Sequence, residues 1–443
     1  MNKNVIKADN ILLPNTENMT AWACIACDQF TSEPEYWNEL SAFVKENKTT
    51  LDLTLPEIYL DEKVDERIAL VNKNIKEYLT SGAMKALPKG FILTIRKTPF
   101  VQRRIGLVVA IDLEEYEYSP KNQALIRATE GTIEERIPPR LKIRKDADVE
   151  FPHVMVLFDD ENREITENLY KNKEKYQKLY DFDLNMGGGH IEGYFIDDYQ
   201  TVIDKFYKLL SEDRLQNKYG KVDKFLFAVG DGNHSLATAK THWNNVKKDL
   251  SEQDKLAHPA RYALVELVNV YDEGIYFEPI HRYVFGIDKQ KFLQGLNEVD
   301  GGSIKIFDSQ AESKKIGNND LPTGIRAVDK YIKDFIEQNG GTVDYVHGDE
   351  NIKKLVSSRN DAVGILFEKL DKSNLFKYVS KNGAFPRKTF SMGEGVEKRY
   401  YLEGRRITKW LRYVNLAEHQ WLMQTQWDKL RVLLKAMLQE SLS

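Results

Sequence analysis

Cysteine is almost missing from this 443-residue chain, with two residues, Cys24 and Cys27. That excludes a disulfide-stapled scaffold, and the Cys-Ile-Ala-Cys spacing is at most a redox pair or half of a zinc site, because no second pair exists to complete four ligands. Small residues in a packed turn is the simpler reading, since free cysteine is usually buried. Long apolar runs are missing too. Ile105–Ile111 and Val154–Phe158 are far shorter than the ~20 residues that span a bilayer, so no membrane helix is expected. The N-terminus meets Asp9 and Asn10 before an apolar stretch can build, and does not read as a secretory signal; a cytoplasmic protein is the expectation. Neither sign of charge dominates. Lys and Arg number 64 against 68 Asp and Glu, a net charge of -4, which gives no general attraction for nucleic acid. With 26 glycines and 13 prolines the chain is neither collagen-like nor low in complexity.

What remains is an ordinary globular composition, 42% hydrophobic and 30% charged, in a chain long enough for two or three domains. Residues 65–80 place Ile68, Val71, Ile75 and Leu79 on one helical face ended by Ser81-Gly82. Apolar runs over 90–96, 104–112, 151–159, 223–229, 261–271, 343–347 and 361–367 predict strands, and 200–211 and 236–243 helices. The fold class is therefore α/β, with mixed α+β open, built on a mixed sheet in more than one domain. Cuts are expected at 1–125, 126–290 and 291–443. Residues 126–150 carry Arg127, Arg136, Arg140 and Arg144 among glutamates, and Pro138-Pro139 predicts an arginine-bearing loop flanked by short helices. Residues 409–442 repeat apolar positions such as Trp427, Leu430 and Leu434 at helical spacing, suiting either a partner or homodimer helix or one docked on the chain's own core.

The most informative stretch is Gly230-Asp231-Gly232-Asn233-His234-Ser235, where a strand enters a glycine turn and then a helix. Glycines permit tight backbone turns, and free N–H groups at a helix start favour an anion such as phosphate. Asp231 can hold a metal ion or take a proton, His234 can donate to a phosphoryl oxygen, and Ser235 can cap the helix or touch the same anion. The same residues also make a good plain turn. Met186-Gly187-Gly188-Gly189-His190 is a second glycine turn, read as a hairpin or a mobile loop carrying His190; with Asp231 and His234 it also offers a metal-dependent hydrolase site.

Phe227–Ala239 resembles the "ADGHHRYETA" box of domain-of-unknown-function family 1015. Ile126-Arg127 with Glu130 is similar to that family's "IRRHE" segment, Glu278–Arg282 to its "PTHR", and Phe385–Phe390 to its "MPQKSTYF"; Asp28 falls where the family has Pro-Tyr-Asp. The Asp-Gly-x-His box is also similar to the phosphate-binding box of ParB nucleotide-binding domains, sulfiredoxin and free-serine kinases. The resemblance implies phosphoryl chemistry on a nucleotide such as ATP or ADP, or on a phosphorylated small molecule, with serine or phosphoserine as a substrate guess and Mg²⁺ as a cofactor. It implies Glu130 as general base, Arg127 and Arg282 as oxygen clamps, and His281 and Lys388 as further phosphate contacts. Two positions depart from it: Asn233 stands for a His, and Ser235 for an Arg. Loss of that forked cation requires a substitute among Arg127, Arg136, Arg140 and Arg282, or a non-catalytic nucleotide-binding regulator.

Overall fold

A computed structural model describes residues 5–221, 223–308 and 311–409. The helical tail expected over 409–442 lies outside them, apart from Lys409. Strands dominate the centre. Met84–Lys97, Arg104–Asp112 and Tyr262–Asn269 pair antiparallel in sequence, Tyr262–Asn269 pairs parallel with Met155–Phe158, and that strand pairs antiparallel with Phe227–Asp231. Phe227–Asp231 in turn pairs parallel with Ile126–Ala128, and the hairpin of Gln177–Leu184 and Gly189–Ile196 extends the other edge. The result is an 11-stranded mixed sheet. The protein is mixed α/β, as the alternation of runs and helical faces predicts.

The long apolar runs are apolar because both faces of this sheet are covered. Ile105, Leu107, Val109 and Ile111 enter one core with Val156, Phe158, Phe227 and Val229, while Val108 and Leu264 enter another on the opposite face with Trp22, Trp37 and Ile75. The helix expected over 65–80 is Val64–Thr80, with Ile68, Val71 and Ile75 buried. Among the described residues no helix is long and apolar enough to cross a membrane.

A second, six-stranded antiparallel sheet holds Ile304–Phe307, Ala362–Phe367, Phe277–Phe285 and Thr342–His347. The cut expected at 125–126 falls inside the first sheet, whose strands come from both sides of it. The cut expected at 290 follows a strand, Phe277–Phe285, that already belongs to the second sheet. Residues 137–144 correct another expectation: Pro138 and Pro139 occupy the first turn of a helix, Ile137–Arg144, where their missing N–H groups need no partner. Arg140 and Arg144 are thus on a helix rather than a loop.

Candidate active site at the glycine turn

The Phe227–Asp231 strand buries Phe227, Ala228 and Val229, and its end delivers Gly230 and Asp231 to the surface of a cleft. Gly232 then takes φ +77°, and a Cβ there would lie 3.0 Å from the Val154 Cα, so glycine is required on two counts. The helix Asn233–Val246 starts at once, with no side chain capping it. Asn233, His234 and Ser235 therefore present an uncapped first turn to a cleft of about 630 Å³. The buried Asn233 Oδ1 has no hydrogen-bond partner.

Eleven of the residues singled out in the sequence meet on this cleft: Asp28, Glu130, Arg136, Arg140, Gly230, Asp231, Gly232, Asn233, His234, Ser235 and Lys388. The Lys388 amide donates to Glu130 Oε1 at 2.9 Å, in a turn where Lys388 has φ +56°. His234 Nε2 accepts the Ile133 amide at 3.2 Å, which leaves the proton on Nδ1. Burial, with Arg140, Arg136 and Arg387 nearby, pushes the His234 pKa down to about 4. His234 is a neutral donor at pH 7.

The other expected residues go elsewhere. Arg127 is buried and held by both carboxylate oxygens of Asp223, at 2.9 and 2.6 Å, so it clamps no ligand in the cleft. His281 is buried between Asp349, at 3.0 Å, and the Phe367 amide, at 3.2 Å. Arg282 is buried and forked onto Asp329 at 2.7 and 2.8 Å; its remaining donors reach the carbonyls of Ile280 and Lys388. Its part is to hold the Lys388 turn. His190 sits in the hairpin on Asp183 and Asp181, at 2.7 and 2.9 Å, and does not line the cleft with Asp231 and His234.

Asp231 also departs from the metal reading. Its Oδ2 lies 3.2 Å from Lys398 Nζ and its Oδ1 accepts the Gly232 amide, so an ammonium takes the place a cation would need. The donor set at Asp231 does not fit a resident Mg²⁺.

The missing box arginine has its substitutes here. Arg136 and Arg140 line the cleft, as do Lys388 and Lys398. Arg140 is paired with Glu57, and Lys398 with Asp231. Arg136, Arg387 and Lys388 have no carboxylate within ion-pair distance among the described residues. Ser235 is not idle either: its Oγ lies 3.1 Å from His153 Nε2, which is also 3.5 Å from Asp28 Oδ2. His153 Nδ1 is 2.8 Å from the Tyr401 hydroxyl, which donates to Cys27 Sγ at 3.0 Å. Burial and the neighbouring Asp28 raise the Cys27 thiol to about 12, so it is a poor nucleophile. Asp28 was visible as the family's Pro-Tyr-Asp position. His153 and Lys398 carry no local motif, and only the fold brings them in.

Residues 6–373 match the family described as protein of unknown function, DUF1015. The chain belongs to that family. The DUF1015 match ends before Lys388 and Lys398, so part of this cleft is built by residues beyond it. No curated protein sequence matches the chain. Among solved structures, a conserved hypothetical protein from Pyrococcus furiosus is similar over 68% of this chain and 95% of its own, with 9% identity and a TM-score of 0.35. A free serine kinase in complex with AMP covers 68% of this chain and 91% of its own, at 8% identity and a TM-score of 0.37. SbnI with a C-terminal truncation, from Staphylococcus aureus, covers 73% and 97%, at 10% identity and a TM-score of 0.36.

Proposed function

We propose that this DUF1015 protein is a cytoplasmic phosphotransferase or phosphohydrolase that binds a nucleotide, such as ATP or ADP, or a phosphorylated small molecule on the Gly230–Ser235 turn. The observation that carries this reading is the pairing of an uncapped helix start with Arg136 and Lys388, cations without an ion-pair partner among the described residues, across one cleft that also holds a carboxylate, Glu130. The helix amides and the two cations bind phosphoryl oxygens. Neutral His234 donates from Nδ1 to another. Glu130 takes the proton of an attacking hydroxyl or water, the new P–O bond forms, and the old one breaks toward the leaving oxygen. No step here runs through a protein-bound metal.

A second reading, a nucleotide-binding regulator without turnover, is favoured by Ser235, which is tied to His153 where the box has an arginine. Thermal shift with ADP, ATP, pyrophosphate and phosphoserine, each with and without Mg²⁺, tests binding; chromatography of the same mixtures tests turnover. A shift in wild type that is lost in His234→Ala, with product that is lost in Glu130→Gln, is the expected outcome. A shift without product leaves the regulator. No shift with any of these ligands ends the phosphate reading.

A further inference from the structure

Behind the helix start lies a second cavity, of about 160 Å³. It adjoins the cleft: Glu57, Leu60, Arg140 and Ser235 line both. Its character is the opposite. The cleft is walled by charged and polar groups, whereas most of this chamber's wall is apolar, from Leu55, Val71, Ile75, Leu236, Ala239 and Leu264, with His153 and Tyr401 on it hydrogen-bonded to each other. The polar groups shared with the cleft, Ser235 and the Glu57–Arg140 pair, stand at the junction. Deeper in, the Glu150 carboxylate is already taken by Arg144, Arg405 and the Leu264 amide. It has little capacity left for a polar guest.

An apolar cavity of about 150 Å³ is the size that admits a benzene ring. We propose that the ligand whose phosphate sits on the Gly230–Ser235 turn carries a compact apolar substituent, a phenyl ring or a branched chain of similar bulk, that enters this chamber beside Ser235. The proposal rests on the phosphate reading above and narrows its substrate class: a phosphate ester or anhydride with a small apolar group close to the phosphorus. Ser235 is then the specificity point, since its hydroxyl borders both compartments.

Isothermal titration with inorganic phosphate, benzyl phosphate and AMP tests this on wild type and on Ala239→Leu, which fills the chamber from the helix one turn beyond Ser235. Ile75→Phe fills it from the opposite wall, and keeps the test open if the first variant fails to fold. The expected result is that benzyl phosphate binds wild type at least about tenfold more tightly than inorganic phosphate. The filled variants lose that gain and bind inorganic phosphate as before. Phosphate binding with no benzyl gain, or a gain that survives filling, overturns the proposal and leaves the phosphate site standing. AMP affinity that falls on filling without any benzyl gain also overturns it, by giving the chamber to a nucleobase. No binding of any of the three overturns the phosphate reading and the proposal together.

Discussion

Asp28 and His153 form a pair whose charges depend on each other. Burial opposes the charged form of both, yet each favours the charged form of the other: His153 lowers the Asp28 pKa below the ordinary carboxylate range, and Asp28 raises the His153 pKa. The linkage has a definite sign. The His153 contribution to stability is full below about pH 6.5 and fades as pH rises through its raised value; that of Asp28 is full above about pH 4 and fades as pH falls through its lowered value. In Asp28→Asn the His153 titration, followed by NMR, is expected to move to lower pH than in wild type, and the alkaline decline in stability to flatten. An unmoved midpoint would show that the pair is not coupled. His234 behaves differently, since with a pKa of about 4 it stays neutral across the physiological range and contributes no inflection between pH 5 and 8 to ligand affinity. The contrast shows what was legible at this scale. Glu130, His234 and Lys388 could be picked out because each sits in a recognisable short segment. Arg127 and Arg282 were equally visible as cations, but their partners Asp223 and Asp329 lie 96 and 47 residues away, and nothing local reveals that they are spoken for.

The turn from strand to helix is the element that the sequence displays most openly, because glycine, asparagine and serine each have a local reason to be there. Gly232→Ala puts a Cβ against Val154 in a backbone conformation that L-residues avoid. A loss of about 1–2 kcal/mol in urea unfolding is expected, together with loss of any ligand-induced thermal shift. The segment from Val396 to Arg406 is the opposite case. It carries no motif, yet it is threaded through the interior: the carbonyls of Val396 and Lys398 accept Arg96, the Glu397 carbonyl accepts Arg104, and Arg399 reaches Glu266 at 2.8 Å and Glu403 at 2.6 Å. Replacing Arg399 by Met strands two buried carboxylates, and is expected to cost about 3–5 kcal/mol, measured by chemical denaturation. The Pro138-Pro139 pair shows how a correct rule can be misapplied. Proline does break helices, but in a first turn it starts one, and only the flanking fold decides which.

At the scale of the molecule, the cleft belongs to both sheets. The glycine turn comes from the first; Ile280 and His347 come from the second, and Phe390 and Met392 from the strand that pairs with its Phe277–Phe285. A ligand there at about 100 times its dissociation constant adds roughly 2.7 kcal/mol of stability to whatever unit binds it. Calorimetry is therefore expected to show one transition that moves as a whole; two transitions of which only one moves would assign the ligand to a single sheet. Sheet membership was not legible in the sequence, because it is set by pairings between distant strands, which leave no mark on composition.

The threading of Val396–Arg406 also fixes an order of assembly. Synthesis delivers Arg96 and Arg104 before Glu266, but Arg399, 133 residues beyond Glu266, and the carbonyls that satisfy those arginines follow all three, and the Cys27–Tyr401 contact joins residues 374 positions apart. Until then Glu266 lacks its Arg399 partner and the core around Trp22 lacks Tyr400 and Leu402, the kind of surface that chaperones and proteases recognise. Closure of this part of the interior is thus expected only once Val396–Arg406 has been made.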